Sequence, residues 1–413
     1  MHATQNWLNY AKLRISYGAL GNQDVSYYEY IASMGSSEQQ LLINGIKPMG
    51  VTPSGLVSNS LTWEKVYTKN IGLDLNFFNN RLTFSGDIYR RDTKDMLTKG
   101  KTLPSVLGAL EPRINAADMK TEGWEISLGW RDLFNLGNKP FSYNVKFILS
   151  DNRSFITRFD NPTGNLDDWY EGCEIGEIWG LVTEGFFKDQ ADIDNHADQW
   201  DVTSYPGDRP IEPGDLKYKD LDNNGKINNG SWTVNDPGDY KVIGNNASRY
   251  NYGADFTAEW NGLDFRVLLQ GVGKKDWYPR YDSGFFWGQY NRPFGYMLKQ
   301  HTGDKVYREE LDNWDTAYWP RYTTYQTHQS SVNRPLTINN DRYMQDVSYI
   351  RLKNITVDYT FPDRICKKLH IKGLKVWVSG ENLWTYSPMF EHCDNYDPEV
   401  INAGDSDFRT SEG

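Results

Sequence analysis

The chain has 413 residues, 38% hydrophobic and 15% aromatic, with a net charge of −11 from 44 basic and 55 acidic side chains. That balance disfavours a polyanionic partner such as nucleic acid, and no run of 18 apolar residues provides a transmembrane helix. A mean hydropathy of −0.70 leaves a membrane barrel open, because only alternate residues of its strands meet lipid.

Cys173, Cys366 and Cys393 are scattered and form neither a disulfide framework nor a zinc spacing. The opening residues Met1 to Leu8 lack the basic and apolar regions of a signal peptide. Either a cytoplasmic protein or an internal piece of a longer one is therefore expected. The first predicted strand lies within Ala11 to Asn22, where Leu13, Ile15 and Tyr17 alternate with Arg14, Ser16 and Gly18. A polar, Gly/Ser-rich region follows from Gln23 to Thr62 and reads mostly as loop, with a short strand near Tyr27 to Ser33.

Four hairpins of one design come next. In the first, Ile71, Leu73, Leu75 and Phe77 face away from Asp74 and Asn76, the chain turns at Phe78-Asn79-Asn80, and Leu82, Phe84 and Ile88 return. In the second, Trp124, Ile126, Leu128 and Trp130 alternate with Glu125, Ser127 and Gly129, and Tyr143 to Phe155 returns. The third turns at Asn261-Gly262, a strong hairpin signal, between Tyr250 to Trp260 and Leu263 to Leu269. The fourth runs from Tyr349 to Phe361 and from Ile371 to Trp384 through a short polar turn. Its Ile355, Val357, Leu374 and Val376 are predicted to face lipid, and Asp358, Lys375 and Glu381 the lumen. Both segments exceed ten residues, which suits a tilted strand crossing a bilayer.

Two features favour a membrane barrel over a soluble β-protein with an aromatic core. Large aromatics sit beside the short turns, at Phe77, Phe78, Trp130, Trp260 and Phe361, where an interface girdle would lie. The opposite connections, from Arg158 to Arg249 and from Trp277 to Tyr343, are long, as in outer-membrane barrels. Within them, Lys188 to Trp200 and Asp304 to Trp314 read as short surface helices. Tyr281 to Tyr296 is dense in aromatics, and Phe285, Phe286, Trp287 and Tyr290 are expected to contact a substrate such as a sugar. The competing reading is a loop that packs on itself.

Asp220-Leu221-Asp222-Asn223-Asn224-Gly225-Lys226 matches the start of a calcium loop, with oxygen ligands at positions one, three and five, Gly at six and a backbone carbonyl at seven. Ser231 at position twelve cannot replace a bidentate Glu, so Asp236 or Asp239 must close the site. The calcium would be structural. Catalysis finds little support: the six His are isolated, and no zinc, nucleophile-elbow or phosphate-cradling motif occurs. The chain is not read as an enzyme. The alternative, a secreted β-rich carbohydrate-binding or hydrolytic protein, would gather its aromatics on one concave face.

AKLRISYGALGN from Ala11, WEKVYTKNIGLDL from Trp63, RLTFSGDIY from Arg81, NAADMKTEGWEI from Asn115, PGDLKYKDLDNNGKI from Pro213, RYMQDVSYIRLKNITVDYTFP from Arg342 and SGENLWT from Ser379 run in order over nearly the whole chain. Together they resemble the SusC/RagA-type TonB-linked outer-membrane transporters. The resemblance implies an all-β fold, an antiparallel transmembrane β-barrel of 22 strands with long extracellular loops, of which residues 1–413 would supply about ten strands from the C-terminal part. The plug, the TonB box and the early strands are not expected in this piece. It further implies import of glycans or peptides across the outer membrane with TonB energy, contact with outer-membrane lipid, and a SusD-like lipoprotein as partner. The family pattern places an Asp shortly before Val-Ile-Gly, which favours Asp239, ahead of Val242-Ile243-Gly244. The implied calcium set is Asp220, Asp222, Asn224, Lys226 and Asp239, in a segment 213–244 set into an extracellular loop.

Overall fold

The computed structural model describes residues 7–22, 31, 34–52, 56, 61–99, 113–203, 210–281, 283–291, 297–323, 336 and 338–401. Nine strands form one antiparallel sheet in which each pairs with its neighbours in the chain: β1 (Leu8–Asn22), β2 (Glu64–Phe77), β3 (Leu82–Lys99), β4 (Arg113–Leu136), β5 (Lys139–Arg158), β6 (Arg249–Trp260), β7 (Leu263–Lys274), β8 (Tyr349–Thr360) and β9 (Lys375–Tyr386). The described sheet thus holds nine strands where about ten were expected. β4 and β5 reach 24 and 20 residues, well beyond what a bilayer needs.

Register explains why alternation is so regular. Leu75, Phe84, Leu128, Phe147, Ala254 and Leu269 lie side by side across six strands on one face. On the other face, Arg131, Asn144, Thr257, Arg266, Thr356 and Ser379 form an unbroken polar row. A slip of one residue in any pair would exchange the two faces. The apolar face is the uncovered one: Ile15 and Ile88 are 73% and 71% exposed. An uncovered apolar row across a whole antiparallel sheet is the outer face of a membrane barrel wall.

The short turns gather at one end. Asn261 and Gly262 have φ of 52° and 83°, the left-handed pair that a two-residue hairpin requires. The turn after β2 takes positive φ at Phe78, Asn79 and Asn80. Aromatics surround these turns: Trp7 stacks on Phe77 at 5.9 Å, Phe78 meets Trp130 at 6.5 Å, and Tyr359 meets Phe361 at 4.9 Å. Trp130 donates to Tyr143 Oη and Trp260 to the Leu136 carbonyl, so their polar edges are satisfied where apolar and wet regions meet. The expected girdle is present.

The fourth connection is not the short turn read from the sequence. It carries a helix, Asp363–Lys368, introduced by Pro362. Ile371 and Leu374 therefore precede β9, which begins at Lys375. The helix expected over Lys188 to Trp200 shrinks to Gln190–Asp194, capped by Asp189, with a further turn at Trp200–Thr203. Asp304 to Trp314 holds two single 3-10 turns, Gly303–Lys305 and Glu309–Leu311. The strand expected near Tyr27 to Ser33 falls almost wholly outside the described residues.

At the other end, the connections after β5 and β7 and the segment after β9 fold together into a body with its own core. Leu181, Phe186, Tyr218, Ile227, Trp277, Phe286, Trp287, Trp319, Leu336, Tyr343 and Ile401 are at most 2% exposed there. The protein is thus apolar outside in its wall and apolar inside in its loops.

Candidate functional site

Three features of the polar side organise the chemistry. In the wall, Arg14 on β1 reaches across two neighbouring strands, donating to Asp74 Oδ2 at 2.8 Å and to Asp87 Oδ2 at 2.7 Å. Ser85 donates to Asp74 at 2.7 Å and Asn70 to Asp87 at 2.8 Å. Charge-assisted bonds of this kind fix the relation of three strands on a face with no apolar packing to do so. Further along, Asp358 on β8 forms an ion pair with Lys375 on β9 at 2.8 Å, both on the lumen face as expected.

A second cluster ties the loop body to the wall. Arg351 on β8, 6% exposed in its side chain, donates to Glu399 at 2.5 Å, to Thr385 at 2.8 Å and also to Asp397. Lys353 reaches Glu399 at 2.8 Å. Lys275 donates to the Ile401 carbonyl. The segment after β9 is thus folded back and held. Sequence reasoning missed both arginines. Their one trace was a lone cation on a polar strand face opposite carboxylates, legible only once register is known.

The third feature is the Asp-rich loop. Carboxylate oxygens of Asp220, Asp222 and Asp239 lie within 4.8 Å of one another. Asp239 is fully buried, its two oxygens accepting from the N–H groups of Leu221 at 2.7 Å and Asn228 at 2.9 Å. Asp220 accepts from Asn223 and Gly225, and Asn224 Oδ1 from the Lys226 N–H. Desolvation opposes ionisation of Asp220, yet the Gly225 and Asn223 N–H groups hold its carboxyl below the usual range. Among the described residues, no Lys or Arg pairs with any of the three. Three carboxylates at this spacing are an all-oxygen donor set, the chemistry that suits calcium. Asp236 stands apart from this set: its Oδ2 accepts from Ser231 Oγ at 2.6 Å, closing a separate turn.

The aromatic segment does not form a ligand platform. Phe286, Trp287 and Tyr290 are buried at 0%, 0% and 1% exposure, and only Phe285 reaches solvent, at 42%. Trp287 packs edge-on against Phe286, Trp319 and Tyr343 and donates to the Arg280 carbonyl at 2.9 Å. Tyr290 donates to the Pro320 carbonyl at 2.9 Å and stacks on Trp319. The expectation of substrate contact is therefore corrected for these three: their faces are occupied by one another, and they build the loop core. His392 stacks flat on Tyr318 at 3.7 Å, and the adjacent Cys393 is buried.

Comparison with known proteins agrees with this architecture. The chain is 26% identical over 97% of its length to TonB-dependent receptor P3 of Formosa agariphila, and 22% identical over 97% to TonB-dependent receptor SusC of Bacteroides thetaiotaomicron. It spans little more than a third of those relatives, 37% and 36%. Among solved structures, the RagAB peptide transporter matches with a TM-score of 0.69 and 20% identity, over 96% of this chain and 39% of that one, a likeness of fold. The family described as TonB dependent receptor-like, beta-barrel, matches residues 3–236, more than half of the chain. With its apolar outer face, polar inner face, aromatic girdle and folded outer loops, the chain belongs to the TonB-dependent receptor β-barrel family of the outer membrane.

Proposed function

We propose that this chain forms the wall and outer loop body of a receptor that imports a nutrient, an oligosaccharide, across the outer membrane with energy from TonB. A SusD-like surface lipoprotein is its partner above the loops. The observation that carries this reading is the pairing of a charged inner wall, held by Arg14 with Asp74 and Asp87, with a folded loop body tied to that wall through Arg351. Such a body sits where a substrate enters and where a lid would rest. The likeness to SusC and to the RagAB peptide transporter supports the class of activity; a peptide substrate is the second reading, favoured by the latter. Phe285, whose ring is exposed, is the residue proposed to touch substrate.

Calcium is proposed at Asp220, Asp222 and Asn224, the Lys226 carbonyl and Asp239, where it would neutralise the carboxylates and stiffen segment 213–244. Uptake of labelled oligosaccharides and peptides by cells with and without the receptor gene, and with TonB inactivated, tests the reading. Uptake that depends on the receptor but not on TonB would refute the energised mechanism, and receptor-dependent uptake of peptides alone would replace the oligosaccharide.

A further inference from the structure

On the outward face of β1 to β5 lies an open groove of about 880 Å3. Its floor is one register row, Ile15, Ile71, Ile88 and Trp124, which ends at Asp151 on β5, paired with Arg249. The next row toward the long loops changes chemistry completely: Tyr17, Lys69, Arg90, Glu122 and Arg153 stand side by side. Lys120 and Phe155 complete the rim one row further on.

The height of this change is that of the outer interface. Glu122 stands eight positions along β4 from Trp130, which marks the girdle at the short-turn end. Eight residues at about 3.3 Å each, tilted by about 40°, give roughly 20 Å along the membrane normal, close to an outer-membrane apolar band of about 25 Å. The floor therefore lies at the level of acyl chains and the rim at the level of headgroups.

The rim is rich in basic side chains, in a chain whose net charge is −11. Four cations line the groove, and three of them already have partners: Arg90 pairs with Asp92 at 3.0 Å, Arg153 with Glu174 at 2.5 Å and, more loosely, Lys120 with Glu122 at 3.5 Å. Asp151 is already neutralised by Arg249 at 2.5 Å, and Glu122 is reached only at 3.5 Å by both Arg90 and Lys120. Among the described residues, exposed Lys69 has no acidic partner at all. Lys120 and Arg153 lie over the Phe155 ring at 5.4 Å and 5.0 Å, which keeps their charge at the rim.

We propose that this groove seats an anionic, phosphate-bearing lipid of the outer leaflet, its acyl chain along the Ile15–Trp124 row and its phosphate between Lys69 and Arg90. The chemistry is that of basic pockets beside apolar wall in other membrane proteins, and it depends on the outer-membrane location alone, not on what the receptor imports.

The test reconstitutes the whole receptor in nanodiscs of phosphatidylcholine with or without phosphatidylglycerol and counts retained lipids by native mass spectrometry. Wild type is expected to retain phosphatidylglycerol over phosphatidylcholine. Lys69→Gln and Arg90→Gln should each lower that retention about five-fold, while Lys146→Gln on the lumen face leaves it unchanged. Because Lys69 is exposed and has no acidic partner among the described residues, its substitution leaves the fold intact, which heat-modifiable migration verifies for each variant. Competition by inorganic phosphate at the same concentration should fail, since the apolar floor then contributes nothing. Equal retention by wild type and the Lys69→Gln variant, equal retention of both lipids, or full displacement by inorganic phosphate would each overturn the proposal.

Discussion

Ile126 offers the sharpest test of the wall. It lies on the outward face of β4, four positions from Trp130 in the girdle and four from Glu122 at the charged row, with Gly86 and Leu149 beside it in register. Four residues correspond to about 13 Å along the strand and about 10 Å in depth, which places Ile126 near the bilayer midplane. Arginine at the midplane of a barrel's lipid face costs about 2–4 kcal/mol, and each 1.4 kcal/mol is about tenfold in the folding equilibrium. Ile126→Arg should therefore lower the folded-to-unfolded ratio by roughly 30- to 1,000-fold. Ser127→Arg, one residue on, points into the polar lumen beside Ser85 and should cost well under about 1 kcal/mol. Guanidinium titration of the receptor refolded into lipid vesicles, followed by heat-modifiable migration, measures both. A cost for Ser127→Arg equal to or above that for Ile126→Arg would refute the assignment of faces.

Other outcomes follow from the loop body. Trp287→Ala removes a fully buried ring from the loop core and should destabilise that body by about 3–5 kcal/mol, read as faster proteolysis of the long loops while the wall keeps its heat-modifiable migration. His301 is buried between Tyr290 and Trp319, and desolvation lowers its pKa from 6.5 to about 4. The unfolded chain takes up that proton at higher pH than the folded one, so stability is full above pH 6.5 and is lost as pH falls toward 4, by about 3 kcal/mol in all. Loop proteolysis against pH should show a steeper fall in wild type than in His301→Gln, where burial of His196 and His392 leaves the remainder. Calcium at one hundred times its dissociation constant should stabilise the Asp-rich loop by about 2.7 kcal/mol, seen as a thermal shift that chelation reverses. Asp239→Asn should abolish the shift, and a shift surviving in that variant would remove the site.

The wall was largely legible because a two-residue period has only one consistent register once turns such as Asn261-Gly262 are placed. The gathering of Asp220, Asp222 and Asp239 was legible for a similar reason, since the Asp-rich turn is local apart from the last carboxylate. What sequence could not reveal was pairing at a distance. Arg14 and Arg351 acquire meaning only beside Asp87 and Glu399, which lie far along the chain. Phe286, Trp287 and Tyr290 failed as predicted contacts because composition does not state which way a ring faces, and a loop large enough to have its own core draws its rings inward. The helix at Asp363–Lys368 was missed although Pro362, Asp363 and the terminal Lys367-Lys368 pair all signalled it.

The loop core joins Leu181 to Ile401, residues more than half the chain apart. Contacts of such separation carry a large loop-closure penalty and form late unless something has already brought their ends together. Here the wall does so: three hairpins close through two to four residues and the fourth through the short Asp363–Lys368 helix, and their stacking delivers the outer connections to one rim. Assembly of this protein therefore has a built-in sequence. The outer body is the last part to acquire its structure, and a receptor stalled with an incomplete wall displays Trp287, Trp319 and Tyr343 to water, the surface by which quality control at the membrane can recognise it.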